Sequence, residues 1–399
     1  MQDSERTYQK VGFSTVVLIL GALTAFGSLS IDMYLPAFPA IAKDLSTSLS
    51  SIQLSLASFF VGLAIGQIFY GPITDRYGRK KPLYVGLGIY TVASLVCAFT
   101  KSVEMLVLFR FLQALGACSG MVISRATVRD LFSQQDTAKV FSLLMLIMGV
   151  APIVAPLLGG YVSVSLGWRA IFVILALLSS LCLLAVIFIM PETHRPDGRV
   201  RIQDSVKIYG RIVRDRHYMG YALAAACAQA GLFAYVTGSS FVFINLFHVP
   251  AENFGWIFGG NALGLIFFSQ VNGRLLLRFG YEQILRKSLI AIAASSVWLM
   301  TAALLGGGFW AILIPLFFFI ASMGMVSPNS TAGAMATQKQ SAGSGSALLG
   351  TIQFTAAASA SALVSKLDNG TLMPMVTIIA VCGLASLIIH RVMIVRKKA

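Results

Sequence analysis

Long apolar runs separated by short polar turns recur along the whole chain. A bilayer core of roughly 30 Å requires about 20 apolar residues in a helix, and only helices or closed barrels satisfy the backbone there. The runs are too long for the strands of a barrel. The predicted spans cover residues 11–36, 51–70, 82–100, 103–123, 138–162, 168–190, 219–247, 252–277, 285–306, 309–335, 344–364 and 372–395. The pattern therefore predicts an all-α membrane protein with twelve transmembrane helices.

Composition narrows the class of protein further. Of the 399 residues, 57% are hydrophobic and only 11% are charged, and the mean hydropathy is +0.81. The net charge of +15 does not indicate a nucleic-acid partner, because the cations are spread over short turns and not gathered on one face. The five cysteines lie inside apolar runs with neither metal-ligand spacing nor a pairing pattern. We expect membrane lipid as a partner, and no nucleic acid, metal or cofactor.

The distribution of charge predicts the orientation. About 25 of the 30 Lys and Arg residues fall in or beside turns on one side of the spans. The turns on the other side hold only Lys43, Lys101, Arg169 and Lys366, and Arg110 lies inside a span. Because Lys and Arg are retained on the cytoplasmic side and the number of spans is even, both termini are expected in the cytoplasm.

The turn at residues 71–83, between spans 2 and 3, is the most distinctive polar segment. It reads Gly-Pro-Ile-Thr-Asp-Arg-Tyr-Gly-Arg-Lys-Lys-Pro-Leu and surrounds Asp75 with four cations. Charge alone explains it as a loop that fixes orientation. The order of its residues also suggests a cytoplasmic gate, in which Asp75 accepts hydrogen bonds from Arg79 and from span ends of the other half. The expected gate residues are Gly71, Asp75, Arg76, Gly78, Arg79 and, at the inner end of span 4, Arg129.

The longest connection divides the spans six plus six. Residues 191–217 read as a linker followed by an amphipathic helix on the inner surface, with Ile202, Val206, Tyr209 and Val213 at helical spacing. A shift of 202 residues places Gly71, Arg76 and Gly78 on Gly273, Arg278 and Gly280, while Asp75 falls on Leu277. We therefore predict a first six-helix bundle at 1–190, a cytoplasmic linker at 191–217 and a second bundle at 218–399.

Two of these patterns resemble signatures of the major facilitator superfamily. The turn is similar to the loop between helices 2 and 3 of that family at Gly71, Asp75, Arg76, Gly78, Arg79 and Lys80. Span 4 resembles the family's Arg-X-X-Gln pattern at Arg110 and Gln113, with Ala114 where a glycine is expected. The resemblance implies two six-helix bundles that alternate access to a central site, and it covers the first half better than the second.

Two further segments resemble motifs of drug exporters within this family. Span 5 is similar to the motif of proton-driven exporters at Pro152, Pro156, Gly159 and Gly160, although Ala151 and Ala155 replace two glycines. Residues 30–39 resemble the bicyclomycin-resistance (Bcr/CflA) group. The resemblance implies a carrier that exports drug-like molecules from a bacterial cytoplasm in exchange for protons. We expect it to be a monomer in the bacterial inner membrane. Proton-coupled import or export of a natural metabolite is the alternative, since the fold alone does not set direction.

Asp32 and Arg110 are the ionisable residues placed at membrane depth. A carboxylate inside a span is costly and is a functional candidate by default. Both residues are expected in the outer half of the first bundle, where Arg110 can oppose the effect of burial on Asp32. We expect Asp32 to exchange a proton against the drug and Arg110 to tune it. The alternative is that span 1 ends early and leaves Asp32 in the wet interface.

The substrate cavity is expected to use polar and aromatic side chains inside the spans. An amide in a span is more often an interhelical hydrogen bond than a ligand contact, and one aromatic among 27 Phe residues is more often a packing residue. Some of them are nevertheless expected to face the substrate. The candidates are Tyr34, Phe59, Gln113, Gln229, Tyr235, Asn261 and Gln353.

Other classes of protein fit the pattern less well. A membrane-integral enzyme needs a metal cluster, paired acids or a nucleophile with its base inside the membrane, and the four histidines fall at span ends or in loops. A receptor or scaffold does not require an acid and a cation within the spans. A transporter is therefore the predicted function, with the substrate left open.

Overall fold

The computed structural model describes residues 13–132, 134–193, 202–338 and 341–394. The predicted polar amino terminus, the middle of the linker and the last five residues lie outside this part of the chain. Twelve helices in the described part are long and apolar enough to cross a membrane, and no strand occurs there. The predicted all-α class and the number of spans are confirmed.

The first span is built from three consecutive pieces. Helix α1 (Phe13–Asp32) leads through a 3-10 turn (Leu35–Ala37) into α2 (Phe38–Asp44). The predicted first span ran on to residue 36, but proline lacks the N–H that a helix interior needs. Pro36 instead lies in the first turn of the 3-10 segment. Asp32 is consequently the last residue of α1.

The remaining helices follow the predicted spans closely. They are α3 (Leu49–Tyr77), α4 (Lys80–Phe99), α5 (Val103–Leu131), α6 (Gln134–Ser165), α7 (Trp168–Phe188), α8 (Ile202–Arg214), α9 (Arg216–Ser240), α10 (Ala251–Leu276), α11 (Tyr281–Leu304), α12 (Phe309–Met335), α13 (Ala342–Lys366) and α14 (Met373–Met393). A π-helical segment (Phe241–Leu246) extends α9. Only α8 is too short and polar to span, in agreement with the predicted linker helix.

Capping side chains explain several helix starts. The Ser48 hydroxyl accepts a hydrogen bond from the Ser51 N–H at 3.2 Å and begins α3. Ser102 does the same for α5, with the Met105 N–H at 3.3 Å. Asp215 begins α9 by accepting from the N–H groups of two following residues. A short polar turn thus supplies the acceptor for N–H groups that have no partner within the helix.

Helix α8 is held in place by contacts in its second half and directly after its carboxyl end. The Tyr209 hydroxyl donates to the Ile68 carbonyl of α3 at 3.1 Å, and Ile212 is buried. Asp215, directly after α8, accepts from Thr337 at 2.7 Å and from Gln338 at 2.9 Å. Burial raises the pKa of Asp215, but the Thr337 hydrogen bond and those of the helix start outweigh it and hold the pKa below its usual value. Val213, predicted on the apolar face, is instead 48% exposed.

Contacts between the first and second halves of the chain follow two helix pairs. Helix α3 packs along α13, and α6 packs along α10. Within the first half α3 and α4 pack on α5, and within the second half α13 and α14 pack on α9. This pairing is compatible with the division into bundles at 191–217, which stays a prediction.

Candidate functional site

Arg110 lies in the centre of the first half and is fully buried on α5. Its Nη1 donates to Gln113 Oε1 at 2.6 Å, one helical turn further on. Its Nη2 donates to the Ser30 carbonyl of α1 at 2.9 Å. Gln113 in turn donates to the Ser94 hydroxyl of α4 at 2.7 Å. The guanidinium therefore ties α1, α4 and α5 together through neutral acceptors.

The end of α1 explains why the Ser30 carbonyl is available. The Tyr34 N–H bonds to the Ile31 carbonyl at 3.3 Å as the chain tightens into its 3-10 turn. The Ser30 carbonyl consequently loses the N–H partner that a continued α-helix would supply. A cation at the carboxyl end of a helix is also favoured by the helix dipole. Arg110 both donates a hydrogen bond to this free carbonyl and places a positive charge at the carboxyl end of α1.

Aromatic rings enclose the guanidinium. Its carbon lies 4.3 Å from the ring centroid of Phe59 and 4.5 Å from that of Tyr34. The Tyr34 hydroxyl is hydrogen bonded to the Ser55 hydroxyl at 2.7 Å. Tyr34, Phe59 and Gln113 were predicted to line the substrate cavity, yet each is 0% exposed. In this structure they surround Arg110 and do not line open space.

Asp32 is 5% exposed at the carboxyl end of α1. The helix ends at Asp32, but the span continues to Asp44 and the residue is buried, so the alternative of an early span end in a wet interface does not hold. Among the described residues Asp32 makes no ion pair or hydrogen bond. The predicted direct influence of Arg110 on Asp32 is therefore not a contact here; Arg110 donates from Nη1 to Gln113 and from Nη2 to Ser30.

The second half of the chain approaches the end of α1, because the 3-10 turn that follows Asp32 packs against α9 and α10. Tyr235 belongs to α9. The Tyr235 hydroxyl accepts a hydrogen bond from Asn261 Nδ2 of α10 at 3.0 Å, and its ring stacks on Phe258 with centroids 5.5 Å apart. Tyr235 is 1% and Asn261 2% exposed. Both were predicted as cavity residues, and the structure buries them against each other.

The other two predicted cavity residues lie apart from this cluster. Gln229 of α9 and Gln353 of α13 are partly exposed. Near them, Phe60 of α3 and Phe233 of α9 meet with ring centroids 4.4 Å apart. Phe354 of α13 lies 6.3 Å from Phe233. An aromatic contact between the halves thus runs beside the two amides.

The turn after α3 holds a network around Arg79, which is 6% exposed. Its Nη1 donates to Asp75 Oδ1 at 2.8 Å, as predicted, and to Thr74 Oγ1 at 2.9 Å. Its Nε donates to Asp130 Oδ2 of α5 at 2.8 Å. Burial lowers the pKa of Arg79, but the bonds and charges of Asp130 and Asp75 outweigh this and raise it. The cation is held firmly charged.

Arg129, the partner suggested from the sequence, does not take part in this network. It is exposed, and the next residue, Asp130, occupies the position beside Arg79. Successive helix residues point about 100° apart, so only one of the two can face the turn. The sequence does contain a signal for this partner, because an acid, Asp130, directly follows Arg129.

The glycines of this turn have different roles. Gly78 has a φ of 84°, which side-chain-bearing residues rarely adopt. After it, the N–H groups of Arg79 and Lys80 donate to the Glu192 carboxylate at 2.8 and 3.1 Å. Glu192 thus binds the positive end of the α4 dipole. An added Cβ at Gly71 would meet nothing within 4 Å, so close backbone approach is not its role here.

The two glycines of α6 face different partners. A Cβ at Gly159 would collide with the Met33 carbonyl, directly after Asp32. A Cβ at Gly160 would lie 2.7 Å from the Ala251 carbonyl of α10. Gly160 therefore contacts the second half of the chain, whereas Gly159 packs within the first half. Pro152 and Pro156 lie inside a helix that continues through both of them.

Comparison with known proteins decides the family. The family model described as Major Facilitator Superfamily matches residues 18–362. The chain belongs to the major facilitator superfamily. It is 35% identical to a bicyclomycin resistance protein homolog of Haemophilus influenzae, with 94% of each chain covered. It is 29% identical to multidrug resistance protein D of Escherichia coli, over 90% of this chain and 91% of that one.

Further relatives bear on the fold and on the family. An uncharacterised MFS-type transporter of Bacillus subtilis, YdgK, is 39% identical over 90% of each chain. Among solved structures, a D-xylose–proton symporter superposes with a TM-score of 0.73 at 15% identity, covering 94% of this chain and 96% of that one. The resemblance seen in the motifs is thereby confirmed, and the chain is a multi-pass membrane transporter of the major facilitator superfamily.

Proposed function

We propose that this major facilitator protein exports drug-like small molecules in exchange for protons. The relatives named for bicyclomycin and multidrug resistance support the substrate class. The buried Asp32, which has no cation as a partner in the described chain, supports the proton as the coupling ion. An acid buried without a counter-charge is expensive to keep ionised. A proton is the ligand that removes this cost.

The coupling arises because the proton and the drug compete for one site, at Asp32. In the proposed cycle Asp32 takes up a proton from the outside and releases it toward the cytoplasm as a drug enters. Each of the two ligands then lowers the affinity for the other, and linkage makes the two effects equal. Arg110 does not pair with the acid in this scheme. It fixes the end of α1 against α5 and so sets where Asp32 stands.

Placement in the membrane is part of the proposal. The cationic turns, including the one that holds Arg79, face the cytoplasm, and both termini lie on that side. The protein is proposed to act as a monomer in a bacterial inner membrane. The direction of transport rests on the relatives, because the fold also serves a D-xylose–proton symporter.

Transport in everted membrane vesicles tests the coupling. Vesicles from a pump-deleted bacterium that express the protein are given an imposed proton gradient, acid inside, and the uptake of chloramphenicol or bicyclomycin is followed. We expect wild type to accumulate drug and Asp32→Asn to lose accumulation at least 100-fold. Asp32→Asn still moving drug against its gradient would remove Asp32 from the coupling.

A matched control shows whether the loss of accumulation is specific to Asp32 or follows from the loss of any carboxylate. Asp44 of α2 belongs to the same span, but it is ion paired with Arg169 at 2.5 Å and partly exposed. Exposed ion pairs contribute about 0–1 kcal/mol. Asp44→Asn is therefore expected to retain drug accumulation within about threefold of wild type.

A further inference from the structure

The carbonyl of Ile68 in α3 lacks the partner that a regular helix would give it. In an α-helix each carbonyl accepts from the N–H four residues further on. Four positions after Ile68 comes Pro72, which lies inside α3. Proline has no N–H, and its ring pushes against that same carbonyl. Helix α3 therefore carries a free acceptor shortly before the turn that holds Arg79.

The hydroxyl of Tyr209, on the linker helix α8, occupies this acceptor. It donates to the Ile68 carbonyl at 3.1 Å, across 141 positions of the sequence. Tyr209 is partly buried and packs against the core, as does Ile208 beside it. Burial raises the pKa of the Tyr209 phenol, and the charge of Asp75 raises it further, so the hydroxyl keeps the proton that it donates. Helix α8 is thus joined to α3 at a carbonyl that α3 itself cannot satisfy.

The carboxyl end of α8 is fixed to the second half of the chain. Helix α8 packs on α9 and α13 as well as on α3. Directly after it, the two oxygens of Asp215 bind different groups. Oδ1 accepts from the N–H groups at the start of α9 at 3.0 and 3.3 Å. Oδ2 accepts from Thr337 at 2.7 Å and from Gln338 at 2.9 Å. A movement of α8 is therefore coupled to the second half.

We propose that α8 is a strap that ties the second half of the chain to α3, and that Tyr209 is its positioning residue, acting through the carbonyl that Pro72 leaves free. A helix bends readily where a proline interrupts its hydrogen bonds. With the Tyr209 bond in place, the segment of α3 after Pro72 is held against α8. The turn in which Arg79 is bound follows that segment directly and is held with it.

The strap has a consequence for the transport cycle. In carriers of this fold the two halves move against each other. Helix α3 belongs to the first half, whereas Asp215 binds to the second. A movement that separates α3 from the second half at this end has to break the Tyr209 bond or carry α8 along. The bond therefore favours the arrangement described here, whatever the substrate is, and the inference goes beyond the proposed export of drugs.

Hydrogen–deuterium exchange of the purified full-length protein in nanodiscs tests the strap without a substrate. The amides of residues 73–77, at the carboxyl end of α3, are followed by mass spectrometry. Tyr209→Phe keeps the ring and removes the hydroxyl. We expect these amides to exchange about threefold to tenfold faster, because a hydrogen bond of ordinary net strength no longer opposes the opening of this segment.

A double-variant cycle tests the role of the proline. Pro72→Ala supplies an N–H for the Ile68 carbonyl, so we expect residues 73–77 to exchange more slowly than in wild type. In this background Tyr209→Phe is expected to change their exchange by less than about twofold, because two groups that serve one carbonyl are not additive. An equal effect of Tyr209→Phe in both backgrounds overturns the proposal.

Asp215→Asn tests the attachment of the strap to the second half. It keeps one oxygen for the start of α9 and replaces the oxygen that accepts from Thr337 and Gln338. We expect it to speed the exchange of residues 73–77 about twofold to threefold, although it does not touch α3. It also serves as the second test should Pro72→Ala fail to fold.

Tyr218→Phe is the matched control. The Tyr218 hydroxyl also donates to a backbone carbonyl, that of Gly345, at 2.6 Å. Four positions after Gly345 comes Leu349, which has an N–H, so this carbonyl has its helical partner. The control is expected to leave the exchange of residues 73–77 unchanged, and a rise equal to that of Tyr209→Phe overturns the proposal.

The outcomes separate the strap from the proposed function. Unchanged exchange in Tyr209→Phe overturns the role of Tyr209, and unchanged exchange in Asp215→Asn overturns the tie to the second half. Loss of proton-driven drug uptake in wild-type vesicles, in contrast, refutes the export function and leaves the exchange rates as they are.

Discussion

The two halves of this transporter share a helix pattern but differ in what they bury. The buried Asp, Glu, Lys and Arg residues of the described chain are Asp32, Arg79 and Arg110, and all three lie in the first half. Two buried polar contacts of the second half join neutral groups. There Asn329 donates to Asn272 at 2.6 Å, and the hydroxyls of Thr237 and Ser361 are 2.6 Å apart. The fourth span of that half, α12, contains no charged residue.

The turns that follow α3 and α10 repeat this difference. In the first half Arg79 bonds to Asp75 and Asp130. In the second half the residue matched to Asp75 by the internal repeat is Leu277, which is 87% exposed. The backbones also differ, since Gly78 has a φ of 84° and Gly280 one of −67°. A membrane bundle therefore does not need these charges in order to pack, and their presence in one half indicates function.

Of the substitutions that test this difference between the halves, Arg110→Ala should have the largest effect. It removes the fully buried guanidinium and leaves the Ser30 carbonyl and Gln113 Oε1 without their donor. Each lost partner costs about 1–3 kcal/mol. We expect transport to fall at least 100-fold, with a lower unfolding temperature in detergent.

Arg110→Lys distinguishes the contribution of the positive charge from that of the planar shape of the guanidinium. Lysine keeps the positive charge but lacks the planar fork that bonds two acceptors and stacks on rings. We expect it to recover stability only in part and transport hardly at all. Full activity of the lysine variant would show that charge alone matters.

Gly159→Leu should have the next largest effect. Its Cβ would collide with the Met33 backbone beside Asp32, and backbone cannot give way as a side chain does. Overpacking of this kind costs typically about 1–3 kcal/mol. We expect drug uptake in vesicles to fall at least tenfold. Gly273→Leu in the second half, where nothing lies within 4 Å of an added Cβ, is the control and should transport normally.

Asp75→Asn and Asp130→Asn compare the two acids that hold Arg79. The Asp130 side chain is 20% exposed and that of Asp75 51%, so solvent screens Asp75 more strongly. We expect insertion to be intact in both, with the inner side opened more often and transport reduced by about threefold to tenfold, more for Asp130. Cysteine accessibility at the inner end measures the opening. Unchanged labelling in both variants would make these acids mere loop charges.

Asn272→Leu should have the smallest effect. It removes the hydrogen bond from Asn329, and such bonds between membrane helices contribute about 0.6 kcal/mol on average, with a maximum near 1.7. We expect a small loss of thermal stability and nearly normal transport. The double variant Asn272→Leu with Asn329→Leu is expected to recover part of that loss, because no buried amide is then left unpaired. A loss as large as that of Arg110→Ala would erase the distinction between the halves.

The sequence by itself determined the features that depend on neighbours along the chain. Apolar run length predicted twelve spans because the bilayer sets the length of a helix. The Asp75–Arg79 and Arg110–Gln113 bonds were accessible because residues three or four apart share a helix face. The helix end at Asp32 was not predicted, since the predicted first span ran to residue 36, which lies in the 3-10 turn.

Only the tertiary structure decided the contacts between distant segments. Asp130 reaches Arg79 across 51 positions, Gly159 lies against Met33, and Gly160 lies against Ala251 of the other half. Periodicity says which face of a helix is apolar, but not which helix covers that face or at what depth. The rotation and register of packed helices set those partners, and they also turned the expected Asp32–Arg110 pair into two separate sites.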